Sequence, residues 1–212
     1  MKVVEIFNSI EGEGKRAGLP CTFIRLFGCN LNCSYCDSRY ACEGDGYTVY
    51  SVAQILNIVK KWSCKAVTVT GGEPLIHPGI NELLLTLARN GYEVNVETNG
   101  SQSEMLWDSH IFYTVDYKTN SSGMSAFMKK EAFTDLDEND VVKFVVGSEQ
   151  DLDQALEVLE KYECKAQVYV SPVFGQIEAK QIVEYIQRHL LWNWKVQLQL
   201  HKYIWNPEER GV

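Results

Sequence analysis

Apolar positions along this chain follow two alternating rhythms. Short runs rich in β-branched and aromatic residues occur at Cys21–Phe27, Ala66–Thr70, Tyr92–Thr98, Phe112–Asp116, Val141–Val146, Gln167–Val170 and Val196–Leu200. Runs of that length and composition predict strands. Between them, apolar residues recur at the three- and four-residue spacing of a helix face over Val52–Trp62, Ile80–Asn90, Leu152–Tyr162 and Glu178–Leu190. End signals coincide with these limits. Ser51 with Gln54 reads as a capping box, Ser148 with Asp151 as a weaker version of one, and Gly91 follows the second helix where a left-handed residue closes a helix well.

Strands alternating with helices predict an α/β fold with a mostly parallel sheet and crossover helices. Two stretches break the alternation. Thr98 to Phe112 has space for one or two helical turns, and Lys118 to Asn139 offers only a short helix. A closed eight-fold barrel takes about 250 residues, and this chain has 212. The expectation is a single domain over residues 1–212, built as a partial, open α/β barrel. In such folds the C-terminal ends of the strands build the site. Polar and glycine-rich segments fall at four such ends, at Gly28–Asp37, Gly71–Pro74, Glu97–Gly100 and Asp116–Lys118, so all four would face one mouth.

Composition narrows the class. Hydrophobic residues make up 45% and charged residues 23%, the profile of an ordinary globular protein. A net charge of −8 argues against a nucleic-acid-binding surface as the main business. No apolar run approaches the ~20 residues that span a bilayer, and MKVVEIFNSIEGEG lacks a signal-peptide core, so the chain reads as cytoplasmic. Seven cysteines, three of them clustered, indicate metal binding plus free thiols in a reducing compartment.

The candidate chemistry starts with Cys29, Cys33 and Cys36, in the order C-x3-C-x2-C after the first strand run. Three thiolates are one short of a closed metal site, and an iron–sulfur cluster held by three leaves one iron open to a small molecule. Spacing alone keeps a structural zinc site open, with Cys42 or Cys21 as fourth ligand, but the chain has no distant second C-x2-C pair. Cys42, Cys64 and Cys164 read as buried small hydrophobes. The second motif, Thr68–Pro74 (TVTGGEP), places two glycines after a strand, where the backbone can approach a ligand closely.

With Tyr35 before the last clustered cysteine and GGEP one strand later, the pattern resembles the radical S-adenosylmethionine (SAM) superfamily. Ser9–Gly14 (SIEGEG), Arg25, Cys36-Asp37-Ser38, Thr70, Glu97–Gly100 (ETNG) and Leu198–Lys202 (LQLHK) extend the resemblance to the 7-carboxy-7-deazaguanine synthase family over nearly the whole chain, most closely residues 5 to 100. The resemblance implies a partial radical SAM barrel and a lyase. That lyase converts 6-carboxy-5,6,7,8-tetrahydropterin to 7-carboxy-7-deazaguanine with release of ammonia, toward queuosine and other deazapurines. Its implied cofactors are a [4Fe-4S] cluster, SAM and Mg²⁺. Its implied partners are the pterin, a reductase such as flavodoxin or ferredoxin, and a second copy in a homodimer, with no nucleic acid or membrane.

Residue roles follow from the resemblance. Cys29, Cys33 and Cys36 would bind the cluster. Tyr35, Cys36, Asp37, Gly72, Asp116, Tyr117 and Lys118 would border SAM; several relatives read S-P-K where this chain reads D-Y-K. Ser38, threonine in many relatives, would give its hydroxyl to Mg²⁺. Ile10, Glu11, Gly12, Arg25, Thr70, Glu97 and His201 would meet the substrate, with Glu13 nearby and Arg25 on its carboxylate. Asn99 would reach the substrate or the ribose, and Glu209–Val212 would fold over the substrate. No residue is assigned to the proton transfers of ammonia loss. Two other readings compete: an activase that places a glycyl radical on a partner enzyme, and a zinc-stabilised binding module.

Overall fold

The computed structural model describes residues 1–206 and 209–212. Nine strands form one sheet: β1 (Lys2–Ile10), β2 (Pro20–Leu26), β3 (Thr48–Val49), β4 (Ala66–Gly71), β5 (Glu93–Thr98), β6 (Ile111–Tyr117), β7 (Val141–Val146), β8 (Gln167–Pro172) and β9 (Trp194–Val196). Their spatial order is β3-β1-β2-β4-β5-β6-β7-β8-β9, and the two ends do not pair. From β2 to β9 every neighbouring pair is parallel. The expected open, mostly parallel α/β architecture is therefore present.

Three details differ from the sequence reading. β1 pairs antiparallel with both β2 and β3 and was not foreseen. Its alternation of polar and apolar residues is interrupted by a register shift between Val3 and Glu5. The last strand ends at Val196, so Leu198 and Gln199 lie outside it and His201 opens the short α6 (His201–Ile204). Residues 99–110 carry no helix at all, and the stretch from Lys118 to Asn139 holds only short 3-10 turns and the single-turn α3 (Glu131–Thr134).

The other helices are α1 (Val52–Val59), α2 (Ile80–Arg89), α4 (Glu149–Tyr162) and α5 (Ala179–Arg188). Both halves of the Ser51–Gln54 capping box form, and Gly91 has φ 75°. At α4 the Ser148 side chain makes no cap. Asp151 reaches back instead, accepting from Gly147 N at 2.8 Å and Ser121 N at 3.1 Å. Among the described residues no helix is long and apolar enough to cross a membrane.

Strand pleating separates the core from the site, because side chains alternate between faces. Val67 and Val69, Val94 and Val96, Tyr113 and Val115, and Val142 and Phe144 point outward into one apolar layer, which Leu83, Leu84 and Leu87 of α2 and Leu152 and Ala155 of α4 complete. The intervening residues Thr68, Thr70, Asn95, Glu97, Thr114, Asp116 and Lys143 face the inside of the half-barrel, and Asp116 and Lys143 stand side by side in register. β7 is buried throughout, with its outer residues under the apolar layer and its inner residues Lys143 and Val145 lining the half-barrel.

Candidate active site

The strand ends and the loops beyond them enclose a cavity of about 740 Å³. Its floor comes from residues 11–19, the loop joining β1 to β2. Arg16 plugs the barrel below this loop. Its guanidinium donates to Glu93 O at 3.0 Å, Val67 O at 3.1 Å, Thr68 Oγ1 at 2.9 Å and Glu11 Oε2 at 3.0 Å. Thr68 also donates to Glu11 Oε2, at 2.7 Å. The other carboxylate oxygen of Glu11, Oε1, is buried without a partner among the described residues. Burial first, and then the neighbouring Glu97, push the Glu11 carboxyl up to about 7, against the pull of Arg16.

Higher on the wall, Thr70 Oγ1 donates to Glu97 Oε2 at 2.7 Å. Asp116 lies between Lys118 (3.0 Å) and Lys143 (3.3 Å), and Lys143 also reaches Glu13 at 3.2 Å. Burial would raise the Asp116 carboxyl, but the two ammonium groups outweigh it and hold it below the ordinary carboxylate range. Arg25 donates through Nε to Glu5 at 2.7 Å, and Tyr40 donates to the same oxygen at 2.9 Å. The terminal amino groups of Arg25 have no hydrogen-bond partner among the described residues, so the guanidinium presents a fixed, open fork.

The rim is the loop carrying Cys29, Cys33 and Cys36. It depends on two glycines: a Cβ at Gly71 would collide with the backbone of Leu26, and one at Gly72 with the backbone of Gly28 and Cys29. The Tyr35 hydroxyl ties the loop to β7 by donating to Val145 O at 3.1 Å. Ser38 donates to Asp37 at 3.1 Å, and Asp37 pairs with Lys202 at 3.2 Å. His201 packs against Gly12, where a Cβ would force its ring to move. Glu209, Arg210, Gly211 and Val212 line the mouth, with the Arg210 guanidinium 4.0 Å from the Tyr40 ring centre.

Ile10, Glu11, Gly12, Arg25, Cys29, Cys33, Tyr35, Cys36, Asp37, Ser38, Thr70, Gly72, Glu97, Asp116, Lys118 and His201 therefore share one cavity. Tyr117 does not join them. Strand alternation turns its ring to the opposite face, where it packs against Phe133 and Phe144 at 5.3 and 5.5 Å between ring centres. Cys42 also departs from expectation. It lines the cavity beside Cys29 and Cys36 as a half-buried residue, and its thiol donates to Ser38 O at 3.7 Å. Cys64 is likewise only half-buried and donates to Pro20 O at 3.1 Å.

The sequence reading passed over Glu5, Arg16, Tyr40 and Lys143, and took Glu73 and Lys202 for plain members of GGEP and LQLHK. Lys143 did carry a signal, as the lone charge in VVKFVV. Arg16 and Glu5 carried none, because only the loop fold and the antiparallel pairing of β1 bring them in.

Cofactor fit rests on the chemistry of the donors. The neighbouring Cys42 thiol, foremost, lowers the Cys29 and Cys36 thiols toward the thiolate that binds iron, while burial raises that of Cys33. The three cysteines border a cavity, as a cluster with a body of its own requires. These residues fit a cysteine-held cluster beside a chamber for SAM.

The Radical SAM superfamily profile matches residues 23–165. A 7-carboxy-7-deazaguanine synthase of Clostridium acetobutylicum is 44% identical over 218 residues, covering 100% of this chain and 99% of its own. The chain belongs to the 7-carboxy-7-deazaguanine synthases of the radical SAM superfamily. A synthase of that name from Chlorobaculum tepidum is 38% identical, covering 100% of this chain and 97% of its own. Among solved structures, this radical SAM chain resembles QueE from Escherichia coli, with a TM-score of 0.77 at 24% identity and 93% of each chain covered. Streptococcus suis SuiB bound to a precursor peptide gives a TM-score of 0.58 at 12% identity, covering 82% of this chain and 48% of that one.

Proposed function

We propose that this chain converts 6-carboxy-5,6,7,8-tetrahydropterin to 7-carboxy-7-deazaguanine and ammonia. The observation that carries the reading is the single cavity, about 740 Å³, that holds the cysteine loop together with the Arg25 fork and the E-G-E-G floor. An activase acting on a partner protein needs a protein-binding groove; the full-length likeness to named synthases favours the small-molecule reading.

Cys29, Cys33 and Cys36 would hold a [4Fe-4S] cluster, with SAM alongside Tyr35, Asp37, Gly72, Asp116 and Lys118. When bound, that pair supplies a hydrogen-abstracting radical. The chain's own residues then position and exchange protons. Arg25, held from behind by Glu5 and Tyr40, offers its free edge to the substrate carboxylate. Thr70 fixes Glu97. Glu11 Oε1, buried and unpartnered, suits an N–H edge of the pterin. The same carboxyl, raised to about 7, can hold a proton at neutral pH and give it to departing nitrogen. Ser38 beside Asp37 would give one oxygen to Mg²⁺, an ion that keeps waters and substrate oxygens around it.

We further propose a cytoplasmic homodimer reduced by a flavodoxin or ferredoxin. Exposed Leu190, Trp192, Tyr203 and Ile204 supply apolar surface for a second copy. The deciding experiment is anaerobic incubation of reduced, iron-loaded protein with SAM, Mg²⁺ and the pterin. Deazapurine and ammonia are expected in equal amounts; neither product, with the cluster verified, overturns the proposal.

A further inference from the structure

Asn99 follows β5 directly, and both its backbone and its side chain are held by several hydrogen bonds. Its backbone N donates to Glu73 Oε2 at 2.7 Å, and Glu73 is itself anchored by Thr98 Oγ1 at 2.7 Å and Leu75 N at 2.9 Å. Its carboxamide belongs to a closed ring of side chains. Asn99 Nδ2 donates to Asn30 Oδ1 at 3.1 Å, Asn30 Nδ2 donates to Ser101 Oγ at 2.8 Å, and Ser101 Oγ donates to Asn99 Oδ1 at 2.6 Å. Ser101 N gives Asn99 Oδ1 a second donor at 3.0 Å.

Every link runs in the same sense, so the bonds reinforce one another. The ring also settles which end of the amide is which. Turning the carboxamide over would set its oxygen against Asn30 Oδ1 and its NH₂ against the Ser101 amide. One N–H of Asn99 therefore remains after the ring is satisfied, and it points at Cys29 Sγ, 3.6 Å away. The backbone N of Leu31 reaches the same sulfur at 3.4 Å. Asn99 is buried, at 6% exposure, so water does not substitute for either donor.

We infer that Asn99 sets the reduction potential of the cluster by holding an N–H on the Cys29 sulfur, with Asn30 and Ser101 as the residues that aim it. This rests on the proposed cluster ligands. Reduction adds one negative charge to a cluster already bound by thiolates. A fixed donor on a ligand sulfur stabilises the extra charge and raises the potential. The carboxamide is thereby committed to the cluster side of the cavity, away from substrate or ribose.

The test compares wild type with Asn99→Ala and Asn99→Asp, each loaded with iron and sulfide without oxygen and titrated electrochemically with EPR detection, SAM absent. Asn99→Ala should shift the one-electron equilibrium about tenfold toward the oxidised state, about 59 mV more negative. Asn99→Asp keeps the shape but turns an acceptor toward the sulfur, and should shift it further. A residue that only staples the loop would not produce that order, and midpoints within twofold of wild type overturn the inference. If the Asn99 variants do not retain iron, Ser101→Ala decides. Freeing the carboxamide from its aim should give a negative shift of about threefold, and no shift overturns the inference. Wild type without any cluster removes both readings. Wild type with a cluster, and variants that titrate like it, removes this one alone.

Discussion

Glu11 shows how one side chain can carry several roles at once. It ties Thr68 to Arg16, closes the floor of the cavity and leaves one oxygen facing no partner. Its carboxyl stands at about 7 against an ordinary 4.5, so the folded chain binds a proton that the unfolded chain has released between those values. The stability from that proton is complete below pH 4.5 and disappears as the pH rises through 7. In urea unfolding at pH 5 and pH 8, wild type should lose about 2 kcal/mol relative to Glu11→Gln, which stays neutral throughout. Parallel pH curves would mean that Glu11 is ionised across the range. The sequence marked Glu11 through its motif, yet it gave no sign of Arg16, whose guanidinium meets four oxygen acceptors from three segments far apart in the chain.

Among the elements, the helix ends divide into those that local sequence decides and those that tertiary contacts decide. Ser51 caps α1 with bonds confined to its own turn, and a sequence window contains all of them. Ser148 precedes α4 as a weaker version of the same signal, but Asp151 has taken over by bonding Gly147 and the distant Ser121. Ser51→Ala should therefore cost about 1 kcal/mol, Ser148→Ala close to nothing, and Asp151→Ala about 2 kcal/mol, as read from denaturation midpoints. A large loss from Ser148→Ala would restore it as a cap. Where β4 meets β2 the constraint is steric. Gly72→Ala would force the new methyl into the Gly28–Cys29 backbone, so the purified variant should contain less than about a tenth of the wild-type iron, by metal analysis. Retained iron would show that the loop can yield. The same paired glycines were visible in the sequence as a close approach to a ligand, whereas the structure sets them against the Leu26 and Gly28–Cys29 backbone.

At the scale of the molecule, the alternation of strands and helices was enough to foresee an open parallel sheet with shortened crossovers. The antiparallel β1 escaped because its pattern breaks at the register shift between Val3 and Glu5. The site was legible as four strand ends, because parallel strands bring their ends together whatever the loops do. Tyr117 was misplaced because motif likeness carries no information about pleat, and its neighbour Asp116 occupies the inner position. Between the segment after β9 and the β1–β2 loop, the Gln197 carboxamide imitates a peptide unit. It accepts from Gly14 N at 2.7 Å and donates to Gly14 O at 2.9 Å, beside Leu200 N to Gly12 O at 3.1 Å. Gln197→Ala should speed hydrogen exchange at Gly14 and Leu200 about tenfold, leaving amides inside β4 to β7 unchanged; unchanged exchange at Gly14 would place the closure elsewhere.

That carboxamide is one clasp of a belt held by a few single bonds, with the Leu200–Gly12 backbone bond and Gln199 on Glu13 as the others. Because no strand ladder spans the gap, the girth of the chamber can grow without any strand giving up a neighbour. Widening the chamber would therefore strain only these few bonds and leave the outer valine and leucine layer in register.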